Sequence, residues 1–203
     1  MFACKIPIEK AFFSLDIKLY DLKILAESLF NEANSGIGKA TGLEAAREGA
    51  TVVVADLPGN DHEQTLNEIR ALGAKCFFVP IDVSDVNSVK KAINLTVEKC
   101  GRLDIAFNNA GIGSPYSGIH DMPEDVWDKI ISVNLTGQFY CLKYELQQFL
   151  KQGGGVIVNM SSLGGLKAEP GLVPYTAAKH GVLGTTKNIA IQYATQNIRA
   201  NAL

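Results

Sequence analysis

The sequence predicts an α/β fold in which a single doubly wound, mostly parallel sheet carries helices on both faces. Short apolar segments alternate with segments of helical periodicity from about residue 36 onwards. Such alternation is typical of right-handed βαβ crossovers, which build a parallel sheet. The strand patterns are also continuously apolar, as in Thr51-Val-Val-Val-Ala55, which is expected of strands buried on both faces. Because no repeat or linker interrupts the pattern, one domain is expected.

Each element follows from a local pattern. In the segment 85–100, Val89, Ile93 and Val97 share one helical face. Pro123 suits the first turn of a long helix, and the glycines at 153–155 end it. The predicted helices are 36–48, 61–72, 85–100, 123–150 and 175–196, and the predicted strands are 51–55, 75–81, 103–108, 156–160 and 199–203.

The first strand is the weakest element of this scheme. A doubly wound sheet needs a strand before its first helix, and the one candidate runs from Ile24 to Phe30. Glu27 and Ser28 interrupt what should be an apolar run buried on both faces. We therefore expect a degenerate first strand.

Composition excludes several classes of function. The formal net charge is −2 and no cluster of Lys or Arg is present, so nucleic acid is not an expected partner. The four cysteines and three histidines are too scattered for a disulfide framework or a metal site. No apolar run reaches membrane-spanning length, and the N-terminal apolar patches are broken by acidic residues. We expect no metal, no membrane partner and a cytoplasmic location.

A glycine-rich turn precedes the first predicted helix. In Asn34-Ser35-Gly36-Ile37-Gly38, glycines without Cβ let the backbone approach a pyrophosphate, to which the helix N-terminus presents free N–H groups. Asp56 ends the next predicted strand, where a carboxylate accepts both hydroxyls of an adenosine ribose. The same carboxylate would repel a 2′-phosphate. The pattern therefore favours NAD over NADP.

A tyrosine and a lysine stand four residues apart in Tyr175-Thr-Ala-Ala-Lys179. On a helix this spacing places a phenol and an ammonium on one face, within a turn of each other. A nearby cation favours the ionised phenol, which can act as general base to an alcohol or, once protonated, as general acid to a carbonyl.

Two serines, Ser161 and Ser162, follow the strand that comes before this helix. Ligands of open α/β sheets bind beyond the carboxyl ends of the strands, so a serine there is placed to hydrogen-bond a substrate oxygen. Taken alone, either serine is better interpreted as a turn or cap residue.

Together these residues resemble the short-chain dehydrogenase/reductase family, whose fold is the Rossmann-like form of the doubly wound sheet. The resemblance covers about residues 33–203. Its motifs, in order, are Asn34-Ser-Gly36-Ile-Gly38, Asp56, Asp82-Val83, Asn108-Asn-Ala110-Gly111, Asn134, Ser161-Ser162 and Tyr175-x-x-x-Lys179.

The resemblance implies four catalytic residues. Tyr175 would be the acid/base, and Ser162, at the family's usual offset of thirteen residues, would orient the substrate oxygen. Lys179 would hold the nicotinamide ribose and favour the ionised tyrosine. Asn134 would hold a water that links Lys179 to a proton relay.

The resemblance also implies the residues that bind NAD. Asp82 would meet the adenine amine, Val83 the adenine ring edge, and Asn108 with Gly111 would line the cofactor cleft. The whole implied cofactor set is Asn34, Ser35, Gly36, Ile37, Gly38, Asp56, Leu57, Asp82, Val83, Asn108, Ala110, Gly111, Tyr175 and Lys179.

The chain departs from the family pattern at both ends. The family's motif is Thr-Gly-x-x-x-Gly-x-Gly, and here Asn31 and Glu32 occupy its first two positions. Glu32 puts a carboxylate where the pyrophosphate should lie, which we expect to weaken cofactor affinity roughly tens- to thousands-fold. The sequence stops at the strand 199–203, before the family's substrate-binding lid and last strand. We therefore distinguish an atypical segment, residues 1–32, from a Rossmann-like dinucleotide-binding and catalytic domain, residues 33–203, whose last strand is missing.

Three hypotheses for function remain. The first is an NAD-dependent oxidoreductase that transfers a hydride between the cofactor and a secondary alcohol or ketone, as a homo-oligomer formed through helices 123–150 and 175–196. The second is a catalytically silent relative that acts through association of the same helices. The third is a non-redox nucleotide- or sugar-binding module, against which the intact Ser162, Tyr175 and Lys179 count.

Overall fold

A computed structural model describes residues 27–31, 33–59 and 61–203. Within these residues, six strands form one sheet in the order β3-β2-β1-β4-β5-β6, and every pairing is parallel. This confirms the predicted doubly wound α/β class. The strands are β1 (Glu27–Asn31), β2 (Thr51–Asp56), β3 (Cys76–Pro80), β4 (Ile105–Asn108), β5 (Gly155–Asn159) and β6 (Ile198–Ala202).

The helices follow the predicted segments closely, with one difference. The predicted helix 123–150 is interrupted by a π-helical turn at Ser132–Gly137. The helices are α1 (Gly36–Arg47), α2 (Glu63–Ala71), α3 (Val86–Cys100), α4 (Glu124–Ile131), α5 (Gln138–Gln152) and α6 (Val173–Gln192).

The degenerate strand pattern does form a strand, and β1 lies in the middle of the sheet. Leu29 is in register with Val53 of β2 on one side and with Ala106 of β4 on the other. Two neighbours supply main-chain hydrogen bonds to β1, which offsets its weak apolar pattern. The domain boundary between residues 32 and 33 remains a prediction, although β1, on its N-terminal side, belongs to the sheet. Glu32 lies outside the described residues.

The core is divided by the sheet into two layers. In β2, Val53 and Ala55 pack on the side of α3, α5 and α6, whereas Val52 and Val54 pack on the side of α1 and α2. This alternation is the period-two pattern of a strand, and all six residues of β2 are buried because both faces are covered.

No helix in the described residues is long and apolar enough to cross a membrane. In the same part of the chain, no group of three or more His, Cys, Asp or Glu side chains is arranged to hold a metal ion.

Candidate active site

The candidate site lies where the strand order reverses, between β1 and β4. β1 runs next to β2 on one side and β4 on the other, and the chain segments that leave β1 and β4 diverge to different parts of the fold. Such a switch point opens a crevice at the carboxyl edge of a parallel sheet. Asn34, Asp56, Asp82, Asn108 and Ser162 each lie at or just after the carboxyl end of a strand.

The N-terminus of α1 opens towards this crevice. Gly36 is the first residue of α1, is exposed and has a φ of +51°, a conformation that favours glycine. A Cβ at Gly36 would meet nothing within 4 Å. Within the described part of the chain, the Ser35 side chain makes no capping hydrogen bond. Ser35, Gly36 and Ile37 thus offer an open helix N-terminus with uncapped N–H groups, while Gly38 is buried.

Asn34 fastens the turn before α1. Its Oδ1 accepts a hydrogen bond from Thr65 Oγ1 at 2.7 Å, and its Nδ2 donates to the carbonyl of Asp61. The side chain of Asn34 therefore holds the glycine turn against α2.

Asp56 closes the other side of the turn. It ends β2 and is buried, with Oδ2 accepting from the N–H of Asn34 at 3.2 Å and Oδ1 from the N–H of Leu57 at 2.7 Å. Two backbone donors fix the carboxylate beside the turn. Leu57, next along the chain, is 49% exposed.

Asp82 and Val83 follow β3 on the adenine side predicted from the sequence. The Oδ1 of Asp82 accepts from the N–H of Ser84 at 2.9 Å and from Ser84 Oγ at 2.6 Å. Val83 is buried in the core, where a Cβ on Gly137 would come within 2.8 Å of its carbonyl. Most of the Val83 side chain therefore packs inside the fold.

Lys179 brings three motifs together. It is 3% exposed, and its Nζ donates to the carbonyl of Met160 at 2.8 Å and lies 5.7 Å from the centroid of the Tyr175 ring. A Cβ on Gly111 would lie 3.5 Å from Lys179 Nζ and 3.4 Å from Asn134 Oδ1. The ammonium is therefore adjacent to the tyrosine ring, the Gly111 backbone and the Asn134 amide.

Gly164 separates the phenol from one of the two serines. A Cβ on this glycine would lie 3.3 Å from the Tyr175 ring and 3.6 Å from Ser162 Oγ, so Ser162 and Tyr175 flank the same small space. Ser161 is buried, and its Oγ donates to the carbonyl of Lys179 at 3.2 Å. The geometry distinguishes an outward serine, Ser162, from an inward one, Ser161.

Asn134 lies in the π-helical turn and holds the loop that follows β4. Its Nδ2 donates to the carbonyl of Ile112 at 2.9 Å, and its Oδ1 accepts from the N–H of Ile112 at 2.8 Å. The oxygen and the nitrogen of the Asn134 amide therefore both bond the backbone of Ile112. The π-turn places this amide against the loop of residues 109–112, which the regular helix predicted from the sequence did not provide.

Asn108, which the resemblance assigns with Gly111 to the lining of the cofactor cleft, is buried at the end of β4. It is 5% exposed, and its Nδ2 donates to Glu145 Oε2 at 3.0 Å and to Asn159 Oδ1 at 3.1 Å. Its Oδ1 accepts from Asn31 Nδ2 at 2.9 Å. Asn108 is thus the centre of a polar network beneath the cleft, whereas Ala110 and Gly111, half-buried, follow in the loop above.

Sequence reasoning missed the one acidic member of that network, Glu145. It stands on α5 among the buried residues Cys141, Leu142 and Phe149. Burial raises the pKa of Glu145 to about 7, against a smaller lowering by the hydrogen bond from Asn108. Burial, together with the Glu145 carboxylate, also raises the pKa of Cys141 well above its usual range. An acidic residue on the largely apolar, buried face of α5 was the available sequence signal.

These residues fit a dinucleotide. The open glycine at the N-terminus of α1 suits a pyrophosphate, and the fixed Asp56 carboxylate beside it suits ribose hydroxyls. Lys179 supplies a buried cation in the same crevice.

Comparison with known proteins identifies relatives. A sequence model of the short chain dehydrogenases matches residues 32–203. The chain is 43% identical over 173 residues to a short chain dehydrogenase/reductase of Aspergillus oryzae, covering 84% of this chain and 66% of that protein. It is 39% identical over 176 residues to a cyclohexanol dehydrogenase of Acinetobacter sp., covering 87% and 70%.

A solved structure agrees with these matches. The complex of carveol dehydrogenase from Mycobacterium avium with NAD superposes with a TM-score of 0.82 at 33% identity, covering 86% of this chain and 68% of that one. The chain spans about two thirds of the length of the relatives that it matches.

Proposed function

The chain belongs to the short chain dehydrogenase family, and from that premise we propose that it transfers a hydride between NAD(H) and a secondary alcohol or ketone. One observation carries the proposal: Ser162, Tyr175 and Lys179 lie close together after the carboxyl end of β5. A module that only bound nucleotides would not need a phenol, a hydroxyl and a buried ammonium in one place.

Tyr175 moves the proton in this proposal. In the direction of oxidation its phenolate removes the proton from the substrate hydroxyl, and in reduction its phenol protonates the carbonyl oxygen. Ser162, on the other side of Gly164, donates a hydrogen bond to the same oxygen. Lys179, whose Nζ lies 5.7 Å from the centroid of the Tyr175 ring, would hold the ribose next to the nicotinamide. The bound nicotinamide ring would supply the carbon that accepts or gives up the hydride.

The remaining site residues hold the cofactor and the relay. Asp56 accepts the adenosine ribose hydroxyls and disfavours a 2′-phosphate, which selects NAD. Asn134 places a water between Lys179 and solvent. The N-terminus of α1 receives the pyrophosphate, and Asp82, Val83, Ala110 and Gly111 complete the cleft.

The names of two related proteins support the proposed class of substrate. One relative is a cyclohexanol dehydrogenase and a structural neighbour is a carveol dehydrogenase. Both names denote enzymes of secondary alcohols on a ring. We therefore propose a small secondary alcohol or the corresponding ketone as the partner of this site.

A second copy of the chain is the proposed protein partner. The faces of α5 and α6 form a groove whose apolar members include Phe139, Leu142, Leu146, Leu150 and Tyr193. Phe139 and Leu150 are 53% and 47% exposed. A two-fold axis through such a groove buries the same residues on both copies, which is the usual geometry of a homodimer.

Titration of NADH into the 203-residue chain, followed by nicotinamide fluorescence, tests the proposal. Binding in the micromolar range, with turnover of at least one member of a panel of secondary alcohols, supports the oxidoreductase. A Glu32→Gly variant is titrated alongside, since Glu32 stands at the second position of the glycine motif. Binding that appears only in the glycine variant would instead favour the catalytically silent relative.

A further inference from the structure

Glu145 is a carboxyl group buried in the core, where the proposed mechanism gives it no task. It is 1% exposed, and within the described residues its Oε1 has no hydrogen-bond partner. Burying a carboxyl group with an unpaired oxygen disfavours folding, and an apolar side chain of the same size would avoid that cost. The presence of an acid here therefore calls for a function other than packing.

A chain of hydrogen bonds leads from Glu145 to the loop of residues 109–112, which follows β4. Glu145 Oε2 accepts from Asn108 Nδ2 at 3.0 Å, and Asn108 Oδ1 accepts from Asn31 Nδ2 at 2.9 Å. Asn31 Oδ1 accepts from the N–H groups of Asn109 at 2.6 Å and Ala110 at 2.7 Å. Each step joins residues that are far apart in sequence, from helix α5 through β4 and β1 to the loop.

Every bond in this chain donates in one direction, from the N–H groups of the loop towards an acceptor oxygen of Glu145. The NH₂ group of Asn108 faces Glu145 Oε2, which accepts whether or not the carboxyl group is ionised, and the oxygen of Asn108 faces Asn31. The NH₂ group of Asn31 then faces Asn108, which leaves the Asn31 oxygen towards the loop. With this orientation Asn31 can accept from two backbone N–H groups, whereas a reversed amide would present donors to donors.

We propose that Glu145 is a positioning residue, which holds the loop of residues 109–112 in place through Asn108 and Asn31. This rests on the proposed function, because the loop matters to catalysis through Gly111, which lies against Lys179 and Asn134. Displacing Gly111 would change the space beside the ammonium and hence the cofactor cleft. Glu145 itself touches neither cofactor nor substrate.

A second branch of the network provides a matched control. Asn108 Nδ2 also donates to Asn159 Oδ1, and Asn159 Nδ2 donates to Thr186 Oγ1 at 2.9 Å. Thr186 is as deeply buried as the rest of the network, at 4% exposure. Thr186→Val removes two buried hydrogen bonds, the one from Asn159 and the one that Thr186 Oγ1 donates to the carbonyl of Val182, but leaves the path to the loop intact.

Amide hydrogen exchange at residues 109–112 tests the proposal in the 203-residue chain without cofactor. Glu145→Met keeps the length and removes the acceptor, so the amides of Asn109 and Ala110 should exchange about tenfold faster than in the native chain. Glu145→Gln, which keeps one acceptor oxygen, and Thr186→Val should change these rates by less than about threefold. The Ile112 amide, held by Asn134 instead, should respond less than its two neighbours.

The proposal is overturned if Glu145→Met and Thr186→Val give the same rates at Asn109 and Ala110. It is also overturned if Glu145→Gln loosens the loop as much as Glu145→Met does. Should the methionine variant fail to fold, Glu145→Leu, which also lacks an acceptor, takes its place, with Asn31→Ala as the positive control because it removes the last acceptor and must accelerate both amides. These readouts do not require turnover, so a chain without redox activity that shows the expected exchange would contradict the proposed function alone.

Discussion

At the scale of single residues, Glu145 makes the stability of this fold depend on pH. Its pKa is about 7 in the folded chain, because burial disfavours the charge, and near 4.5 when the chain is unfolded. Between these values the folded state binds more protons than the unfolded state. The contribution of Glu145 to stability is therefore fully present below about pH 4.5, falls as the pH rises to about 7, and then levels off.

We expect Glu145→Gln to remove this dependence. The native chain should lose on the order of 3 kcal/mol from this one group between about pH 4.5 and pH 8, whereas the glutamine variant should not. Urea unfolding of both chains at pH 5, 6, 7 and 8 measures the difference. If the free energies of unfolding of the two chains differ by the same amount at every pH, Glu145 does not titrate over this range in the folded state.

Asp56 determines which nicotinamide cofactor the site prefers. Its carboxylate is fixed beside the glycine turn by the N–H groups of Asn34 and Leu57. The native chain should bind NADH at least about tenfold more tightly than NADPH, and Asp56→Ser should reduce that ratio by removing the repulsion of the 2′-phosphate. Fluorescence titrations with both cofactors test this. Equal affinities in the native chain would contradict it.

The separate motifs at the site were predictable, but their buried supports were not. Ser162 could be chosen over Ser161 from its spacing to Tyr175, and the structure places Ser162 next to the phenol. The link from Glu145 to Asn108 joins residues 37 apart in sequence, and the link from Asn31 to Asn108 joins residues 77 apart. No local pattern carries such pairings, because they depend on which helix covers which strand.

At the scale of elements, the π-helical turn that interrupts the predicted helix 123–150 ends at a close contact between two backbones, which the sequence does not reveal. Gly137, at the end of the π-helical turn, lies so close to the chain after β3 that a Cβ would come within 2.8 Å of the Val83 carbonyl. A helical periodicity detects the apolar face but not a close approach of two backbones. The glycine at this position was the one available hint.

Substituting this glycine should therefore destabilise the fold. Gly137→Ala forces the helix away from the Val83 backbone, with an expected loss of about 1–3 kcal/mol in the free energy of unfolding. Gly42→Ala in α1 is the control, since its Cβ would lie 3.5 Å from a Val52 methyl group, an ordinary contact, and should gain up to about 1 kcal/mol. Urea unfolding of both variants and of the native chain measures these changes in the free energy of unfolding. A neutral Gly137→Ala would mean that the helix is not confined there.

The strand β1 illustrates how tertiary context overrides a local pattern. Its sequence carries Glu27 and Ser28, which weaken the strand prediction, yet its five residues pair in register with β2. The pairing is formed by backbone groups, which any residue except proline supplies in full. A doubly wound sheet requires a strand before its first helix, so the presence of β1 was predictable. Its regular pairing with β2 was not predictable from its own residues.

At the scale of the whole molecule, the fold class was predictable because many independent segments agree. Five apolar strand patterns and five helical patterns alternate, and each of them forms the expected type of element. The sequence predicted a parallel sheet but not the order of its strands, because that order depends on contacts between distant segments. The structure gives the order, with the switch point between β1 and β4.

The groove between α5 and α6 predicts an association of two copies. Phe139→Glu places a charge in the groove and should convert a dimer to a monomer at micromolar concentration. Ile191→Glu is the control, because Ile191 is 83% exposed on α6 but does not line the groove. Sedimentation velocity of the native chain and the two variants measures whether each is a dimer or a monomer. A native chain that sediments as a monomer, or a Phe139→Glu variant that stays dimeric, would contradict the proposed interface.

The most direct test of the central claim is the rate of NADH formation from secondary alcohols by the native chain and by Tyr175→Phe. If Tyr175 moves the proton, the variant should lose about 10²–10⁴-fold in turnover, while its dissociation constant for NADH stays within about threefold of the native value. Equal turnover by the two chains would contradict the assignment of Tyr175 as the acid/base.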